Sequence, residues 1–364
     1  MEIQAAVLRE GHGPFTVETL TLGEPAADEV VVRMVAAGMC HTDVLMRDLP
    51  AEFFPGPSVY GHEGAGVVEA VGANITHVAE GDHVVLSFNS CGDCPACNKD
   101  RLPYCFNFQM NNMAGGRLDG TSAFTDADGE RVASHYFGQS SFASHTLAAA
   151  NSVIKVDPSF DLKKLGPLGC GVQTGAGAIF NTMGVEAGSS VVVAGAGALG
   201  LSAIMAAKVS DAGQIIAIDR HESRLELARN FGATDVLSGA PEEMAAAIQE
   251  ATGGGSDYAF DTTGNAPIVR AIVNGLNNIG TASLAGVGFG EIIIDHPAMI
   301  SGRTITGVME GDSTPSEFIP HLAQHNADGK FPFDELIVEF PLDQINEAEK
   351  ASADGSVIKP VLVF

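Results

Sequence analysis

The sequence is poor in basic residues: 19 lysines and arginines stand against 45 aspartates and glutamates in 364 residues, for a formal net charge of −26. Such a charge repels nucleic-acid phosphates and anionic lipid surfaces, which argues against both as partners. Long apolar runs are also lacking, because the most apolar stretch, residues 191–207, is too short and too rich in glycine to span a bilayer. Residues 1–15 lack the apolar segment of a secretory signal. We therefore expect a cytoplasmic globular protein of roughly two domains.

Cysteine is scarce, with six residues, and a reducing cytoplasm makes disulfides an unexpected use for them. Four of the six follow the spacing C-x2-C-x2-C-x7-C on a loop, residues 91–105, that is rich in glycine, proline and aspartate. These four are Cys91, Cys94, Cys97 and Cys105. Four thiolates at this spacing form a closed tetrahedral site for a structural zinc ion, and an iron–sulfur cluster is the competing interpretation. We favour zinc because the chemistry that the other motifs indicate needs no cluster.

A glycine-spaced turn separates an apolar run, residues 191–194, from a helix-like segment, residues 201–208. The glycines of this G-x-G-x-x-G pattern are Gly195, Gly197 and Gly200. Such glycines allow a tight turn, a close approach to a pyrophosphate and the packing of a helix on a strand. A second apolar run ends in Asp219, an acid placed to bind the adenosine ribose. The pattern predicts NAD binding, and Arg220, directly after the acid, keeps NADP open as the alternative.

The two remaining cysteines, Cys40 and Cys170, are isolated, and a histidine, His62, lies in the segment between them. Two thiolates and one imidazole are a typical catalytic zinc set, which leaves a fourth position for water or substrate. Each residue alone has a plainer interpretation as part of the core. Asp43 is the expected acceptor for the other ring N–H of a zinc-bound histidine, and Glu63 is expected to act similarly or as an alternative ligand.

Strand and helix patterns indicate an α/β fold with a β-rich N-terminal part, residues 1–37. Strands are predicted at 191–194, 215–218, 235–237, 258–261 and 281–286, and helices at 201–208, 223–231, 242–251 and 268–279. Helical crossovers between strands indicate a doubly wound parallel sheet. Residues 291–295 predict a further strand with an edge suited to subunit pairing, and residues 357–364 predict a final strand.

Together these motifs resemble the zinc-dependent alcohol dehydrogenases of the medium-chain dehydrogenase/reductase superfamily, over the whole chain. The resemblance rests on CHTD at 40–43, GHEGAG at 61–66, the four-cysteine loop, GCG at 169–171 and the glycine turn. Three segments are most similar to the aryl-alcohol (benzyl alcohol) branch: YFGQSSFA at 136–143, LGPLGCGVQTGAG at 165–177 and GKFPFD at 329–334. The resemblance implies a GroES-like β-rich catalytic domain from residues 1–171 and 310–364, a Rossmann NAD-binding domain from 172–309, and a homodimer or homotetramer.

The resemblance also implies roles for individual residues. One catalytic and one structural zinc ion per subunit are expected, the catalytic ion on Cys40, His62 and Cys170. Cofactor contacts are implied for the pyrophosphate with His41 and Lys359, for the adenosine ribose with Asp219 and Arg224, and for the nicotinamide with Thr174 and Val287. Thr42 would pass the alcohol proton outward. Many family members have a histidine at the outer end of this relay, where this sequence has Leu45. The aryl-alcohol members likewise have an apolar residue there. Proton release must therefore use another route, such as water, or be slower.

The implied reaction is the reversible oxidation of a primary alcohol, aromatic or allylic, to its aldehyde, with hydride transfer to NAD. Zinc would lower the pKa of the alcohol hydroxyl group. Phe88 and Leu45 would line an apolar substrate pocket or form ordinary core. The alternatives are another zinc alcohol dehydrogenase, acting on a formaldehyde–glutathione adduct, an aliphatic alcohol or a polyol, and a non-catalytic NAD-binding protein that would not need the predicted catalytic ligands.

Overall fold

The computed structural model describes residues 1–48, 56–288 and 290–364. The chain divides into two compact units. The first combines Met1–Cys170, Thr314–Ala327 and Asp334–Phe364, and the second consists of Gly171–Ser313 and Asp328–Phe333. Both ends of the chain therefore belong to the first unit. Among the described residues, no helix has the length and apolarity needed to cross a membrane.

The strands and helices have the following bounds. The strands are β1 (Glu2–Leu8), β2 (Phe15–Leu22), β3 (Glu29–Gly38), β4 (Ser58–Val59), β5 (Glu63–Val71), β6 (His83–Leu86), β7 (Phe124–Thr125), β8 (Arg131–Val132), β9 (His145–Ala149), β10 (Val153–Lys155), β11 (Ser190–Ala194), β12 (Gln214–Ile218), β13 (Asp235–Leu237), β14 (Ser256–Asp261), β15 (Leu276–Leu284), β16 (Thr304–Gly307), β17 (Ile337–Pro341) and β18 (Lys359–Val363). The helices are α1 (His41–Arg47), α2 (Phe108–Met113), α3 (Leu162–Leu165), α4 (Gly171–Gly177), α5 (Ala198–Val209), α6 (Glu222–Phe231), α7 (Pro241–Thr252), α8 (Ala266–Asn274), α9 (His296–Ile300), α10 (Pro315–Ala327) and α11 (Ile345–Ala353).

The first unit contains two mainly antiparallel sheets. One has the strand order β4-β1-β2-β7-β8, and the other has the order β10-β6-β5-β3-β18-β17, with β9 paired to β3. At the end of β3, Gly38 pairs with Glu63 of β5 and with Val361 of β18. Three segments that are remote in the sequence therefore meet at one place: the turn after β3, the start of β5 and the start of β18.

The packing of β3 against β5 explains part of this geometry. Side chains on one face of this sheet form an aliphatic core, which includes Val30, Val32, Met34, Val68 and Leu86. A Cβ atom at Gly66 would lie 2.3 Å from the carbonyl oxygen of Arg33 on β3, which is shorter than any real contact. Glycine at this position therefore allows β5 to approach β3 closely enough to bring its first residues to the end of β3.

The second unit is a six-stranded parallel sheet with the order β13-β12-β11-β14-β15-β16. In its central strand β11, residues 191–194 are apolar and fully buried, as expected for a parallel strand covered by helices on both faces. The strand order and the helical crossovers confirm the predicted doubly wound parallel sheet.

Two details of the predicted pattern are wrong. The predicted helix 268–279 ends at Asn274, and the residues from Leu276 onward belong to β15. Gly275 follows the helix, and Leu276 pairs with Ser256 of β14, so a ladder partner is available and the chain changes from helix to strand. The predicted strand 291–295 is not formed, and among the described residues the edge strands of this sheet are β13 and β16.

A buried carboxylate ties three segments of the first unit together. Glu29 is 4% exposed, and its oxygens accept hydrogen bonds from Arg117 Nε (2.7 Å) and Nη2 (2.9 Å), from the backbone of Ala26 (2.8 Å) and from His135 Nε2 (2.8 Å). Burial alone would raise the pKa of Glu29, but the hydrogen bonds from His135 and Arg117 outweigh it and lower the pKa from 4.5 to about 2.

The cluster gives a pH-dependent contribution to stability. Because the pKa of Glu29 is lower in the folded chain, its contribution is complete above about pH 4.5 and is lost as the pH falls toward 2. The difference between the pKa values of Glu29 in the unfolded and folded chain corresponds to about 3 kcal/mol of folding stability. We expect Glu29→Gln to lower the free energy of unfolding at pH 7 and to flatten its fall below pH 5, measured by urea titration. The exposed Glu10→Gln is the control; an unchanged pH profile in Glu29→Gln would contradict the assignment.

Candidate active site

The four-cysteine loop forms a compact thiol cluster. The sulfur atoms of Cys91, Cys94, Cys97 and Cys105 all lie within 4.8 Å of one another, with Cys94–Cys97 and Cys91–Cys105 separations of 3.5 Å. A tetrahedral site with metal–sulfur bonds of about 2.3 Å has sulfur separations of about 3.8 Å. Backbone N–H groups of Cys97 and Phe106 donate to the sulfur of Cys94 and lower its pKa to about 6, which favours the thiolate. The donor set fits one four-sulfur metal ion.

A second group of potential metal ligands, which we call the Cys40 group, gathers where β3, β5 and β18 meet. One ligand atom from each of Cys40, His62, Glu63 and Cys170 lies within 4.8 Å of the others. Cys40 directly precedes α1, His62 directly precedes β5, and Cys170 is the last residue of its segment in the first unit. The pKa of the Cys40 thiol lies well below its usual range, through a hydrogen bond with Cys170 and the charges of His62 and Lys359, although burial opposes the shift.

Asp43 orients two residues of this group. Its Oδ1 accepts hydrogen bonds from His62 Nδ1 (2.8 Å) and from the backbone of Gly61 (3.2 Å), and its Oδ2 accepts one from the backbone of Cys40 (3.0 Å). Burial would lower the pKa of His62, but the Asp43 carboxylate raises it well above its usual value. With Nδ1 directed at Asp43, the buried Nε2 of His62 has no nitrogen or oxygen partner among the described residues, and a metal ion can bind there in exchange for a proton. The group therefore fits a zinc ion held by two thiolates and one imidazole.

The other residues predicted around this group differ in their surroundings. Thr42 is half-buried, and its hydroxyl group lies 3.6 Å from the sulfur of Cys40. His41 is exposed at the start of α1, and Leu45 is half-buried on the same helix. The Thr42 hydroxyl group therefore lies beside the sulfur of a candidate ligand, whereas the contact of His41 with a pyrophosphate stays a prediction.

Lys359 has a partner that sequence reasoning missed. Its Nζ lies 2.5 Å from Glu63 Oε2 and donates to the carbonyl oxygen of Met39 at 3.1 Å. Both charged side chains are almost completely buried, at 3% and 0% exposure. In the first unit the positive charge of Lys359 thus compensates the negative charge of Glu63 in the Cys40 group. The contact of Lys359 with a cofactor pyrophosphate stays a prediction.

An aromatic wall, which we define as Phe88, Phe108, Tyr136 and Phe137, adjoins His62. The ring of Phe137 stacks on the His62 ring at a centroid distance of 4.6 Å, and Tyr136 meets it edge-on at 5.5 Å. Phe108 continues the wall at 6.0 Å from Phe137 and 6.1 Å from Phe88. Of these residues, the sequence analysis assigns a possible pocket role only to Phe88, although Tyr136 and Phe137 begin one of the segments similar to the aryl-alcohol branch.

The glycine turn of the second unit has the geometry of a dinucleotide site. Gly195 has a φ of +93° directly after β11. A Cβ atom at Gly200 would lie 1.7 Å from the carbonyl oxygen of Gly195, so only glycine lets α5 pack this closely on the turn. A Cβ atom at Gly197 would meet nothing within 4 Å, which leaves the backbone open to a ligand.

An open cavity of about 590 Å³ lies at this turn. Its lining includes Gly195, Gly197, Asp219 and Arg224. The Asp219 carboxylate accepts hydrogen bonds from the backbones of Ala196 (2.8 Å) and His221 (2.9 Å), which hold it beside the turn. The cavity lies at the carboxyl ends of β11 and β12, where doubly wound sheets bind ligands. Thr174, buried in α4, and Val287, 67% exposed after β15, are not among its lining residues.

Comparisons with known proteins agree with this geometry. Residues 26–158 match the alcohol dehydrogenase GroES-like domain, and residues 198–324 match the zinc-binding dehydrogenase domain. The chain is 41% identical to geraniol dehydrogenase of Castellaniella defragrans, over 99% of this chain and 97% of that protein. It is 36% identical to the class-3 alcohol dehydrogenase of Caenorhabditis elegans, over 99% of this chain and 96% of that protein.

A solved structure extends the agreement to three dimensions. Benzyl alcohol dehydrogenase from Acinetobacter calcoaceticus is 42% identical and superposes with a TM-score of 0.95, covering 100% of this chain and 99% of that chain. With the two matched domains, this likeness confirms the expected fold class. The chain therefore belongs to the zinc-binding alcohol dehydrogenases of the medium-chain dehydrogenase/reductase superfamily, with a GroES-like domain and a Rossmann-type dinucleotide-binding domain.

Proposed function

We propose that the protein catalyses the reversible oxidation of an aromatic or allylic primary alcohol to its aldehyde, with zinc and NAD. The observation that carries this proposal is the aromatic wall, whose Phe137 ring stacks on His62 at 4.6 Å. A flat unsaturated group beside the CH₂OH carbon packs well on aromatic rings, whereas a polyol would leave its hydroxyl groups without partners there. The relatives named after geraniol and benzyl alcohol support the same substrate class.

The chain's own residues account for much of the proposed chemistry. Cys40, His62 and Cys170 would hold a zinc ion, which when bound supplies a Lewis acid that lowers the pKa of the alcohol. Asp43 keeps the proton on His62 Nδ1, and the aromatic wall gives the His62 ring a buried apolar neighbour. The Thr42 hydroxyl group, beside the Cys40 sulfur, would relay the alcohol proton: it accepts that proton while it releases its own toward the cofactor ribose and solvent.

A substrate panel tests this proposal. We expect benzyl alcohol and geraniol to be oxidised with a higher kcat/KM than ethanol, sorbitol or the formaldehyde–glutathione adduct, measured by NADH absorbance. The adduct is included because a class-3 enzyme is among the relatives. Preference for the adduct or for ethanol would overturn the substrate class. NADH formation with none of these alcohols by fully zinc-loaded protein would favour a non-catalytic dinucleotide-binding role.

The relay role of Thr42 predicts a selective loss of turnover. We expect Thr42→Ala to lower kcat by about 100-fold or more, because a positioned proton acceptor contributes on that order. NADH affinity, followed by NADH fluorescence, should stay close to that of the wild type. Thr42→Ser keeps the hydroxyl group and should recover most of the rate. Unchanged turnover in Thr42→Ala would remove Thr42 from the relay.

Asp219 is the basis for proposing NAD rather than NADP. Its carboxylate, held by two backbone N–H groups, would bind the ribose hydroxyls and repel a 2′-phosphate. We expect Asp219→Asn to lower the NAD/NADP ratio of kcat/KM by about 10- to 100-fold, the cost of losing hydrogen bonds to a charged group. Glu226→Gln, an exposed acid on α6 outside the cavity, should leave the ratio unchanged. A wild-type preference for NADP would contradict the assignment.

We further propose that the enzyme works as a homodimer or homotetramer in the cytoplasm on small-molecule alcohols and aldehydes. The net charge of −26 supports the exclusion of nucleic acids and anionic membranes as partners. Light scattering after size-exclusion chromatography measures the oligomeric state directly, and a monomer at micromolar concentration would refute that part of the proposal.

A further inference from the structure

The loop that carries Tyr136 and Phe137 of the aromatic wall has an unusual backbone. Phe137, Gly138 and Ser140 have φ angles of +52°, +68° and +62°. Glycine adopts such angles at little cost, but phenylalanine and serine rarely do, because their Cβ atoms meet the backbone. A conformation of this kind persists only where neighbouring groups hold it, and it occurs often at functional sites. The contacts that hold this loop therefore point to its role.

Gln139, in the middle of the loop, is fully buried. Its Nε2 donates to the carbonyl oxygens of His62 (2.9 Å) and Ser87 (3.1 Å), and its Oε1 accepts from the backbone N–H of Gly64 (3.1 Å). The two bonds to carbonyls and the one bond from an N–H determine which end of the amide is nitrogen. One side chain thus holds the backbone on both sides of Glu63.

The backbone that Gln139 holds carries two of the four clustered ligand groups, on His62 and Glu63. The imidazole of His62 is already oriented by Asp43, but Asp43 contacts its Nδ1 and leaves its carbonyl oxygen to Gln139. The third partner, Ser87, directly precedes Phe88 of the aromatic wall. Gln139 therefore joins the ligand-bearing start of β5 to two parts of the wall.

A purely structural cross-link is the alternative, and the same unit contains one of matching chemistry. Asn112 is fully buried, donates to the carbonyl oxygens of Asn89 (2.9 Å) and Phe108 (2.8 Å), and accepts from the backbone of Asn89 (2.8 Å). It makes the same three bonds as Gln139, but none to a residue of the Cys40 group. Removing either amide takes one hydrogen bond from one N–H and from each of two carbonyl groups, so the two sites differ mainly in which residues they hold.

We propose that Gln139 is a positioning residue for the metal site: its amide keeps the backbone of residues 62–64 in place, so that His62 presents Nε2 to the metal ion while Phe137 stacks on the same ring. The proposal rests on the proposed zinc ion at the Cys40 group. It predicts that loss of the amide loosens the metal site itself, beyond any effect on folding stability.

The test measures metal release from zinc-loaded protein with a chromogenic chelator. Gln139→Met keeps side-chain length and removes the three hydrogen bonds, and Asn112→Leu is the matched control. The two zinc ions of each chain should leave in separate kinetic phases. The phase that is present in the wild type but missing in Cys170→Ala belongs to the zinc ion of the Cys40 group. We expect Gln139→Met to speed this phase by about 10- to 100-fold, the usual effect of removing a group that orients a metal ligand. The cobalt-substituted protein should show broadened visible bands in the same variant.

Asn112→Leu is expected to lose stability but to release this zinc ion at the wild-type rate. If Gln139→Met does not fold, Gln139→Asn, whose shorter side chain cannot span the three partners, replaces it. Wild-type release by the folded Gln139 variant, or equally fast release by Asn112→Leu, would overturn the proposal. Wild-type protein without a zinc ion at the Cys40 group would instead overturn the proposed function on which it rests.

Discussion

Replacing Cys170 with alanine is expected to lower kcat for benzyl alcohol by about 1,000-fold or more while the protein stays folded. A bound metal ion stabilises the transition state by several kcal/mol, and about 1.4 kcal/mol corresponds to a tenfold change in rate. Cys170 supplies one of two sulfur atoms in a group whose ligand atoms lie within 4.8 Å of one another. Without it, Cys40 and His62 alone would bind zinc weakly. Elemental analysis should show the loss of one zinc ion per chain relative to the wild type.

The stability of the Cys170→Ala variant distinguishes a catalytic from a structural metal site. Cys170 is 9% exposed and lies at the end of a segment of the first unit, where alanine fits without overpacking. We expect a Tm close to that of the wild type and unchanged NADH affinity. Wild-type turnover with a full complement of zinc would show that Cys170 is not a ligand. A large fall in Tm would show that this site has a structural role that the geometry does not indicate.

The glycine turn and the four-cysteine site could be predicted because their functional residues lie close together in the sequence at characteristic spacings. The glycine turn requires Gly195 for its positive φ angle and Gly200 for the close packing of α5 on the turn. The whole motif, from Gly195 to Asp219, lies within one βαβ unit. The four cysteines of the loop are close in the sequence and meet in one cluster. The more distant group of Cys40, His62 and Cys170 was predicted from ligand chemistry and resemblance, and the structure brings it together.

The contacts that depend on strand pairing could not be predicted. Lys359 meets Glu63 because β18 pairs with the end of β3, which in turn pairs with the first residues of β5. No local pattern in a single sequence states this pairing. The cofactor contact that the resemblance implies for Lys359 stays a prediction, and the partner that the structure shows in the first unit is the buried carboxylate of Glu63.

Gln139 and Phe137 were missed for a different reason. Their positions depend on positive φ angles at residues 137, 138 and 140, and only the glycine among these suggests such a conformation from sequence. The same limit applies to the helix predicted over 268–279, whose apolar residues suit either state until β14 offers Leu276 a partner. Sequence patterns thus identified ligands and local turns, whereas long-range pairing and strained backbone required the structure.

Replacing Cys97 with serine is expected to destabilise the four-cysteine loop and leave the Cys40 group loaded with metal. The loop has little regular structure, only short 3₁₀ turns at Cys97–Lys99 and Leu102–Tyr104, so its thiol cluster supplies much of its order. Because a structural zinc ion contributes its binding energy to folding, we expect a loss of about 4 kcal/mol and a fall in Tm of about 10 °C.

Limited trypsin digestion gives the sharpest readout, because Lys99 and Arg101 are exposed in this loop. Cys97→Ser should be cut after these residues at trypsin concentrations that leave the wild type and Cys170→Ala intact, since cleavage requires the loop to open.

Elemental analysis separates the two metal chemistries: zinc in a colourless wild-type protein supports the structural zinc site, whereas iron with visible absorbance would indicate a cluster. A resistant loop and an unchanged Tm in Cys97→Ser would show that the thiol cluster does not hold the loop. Reciprocal results, with activity lost in Cys170→Ala and loop order lost in Cys97→Ser, would assign one metal ion to chemistry and the other to the fold.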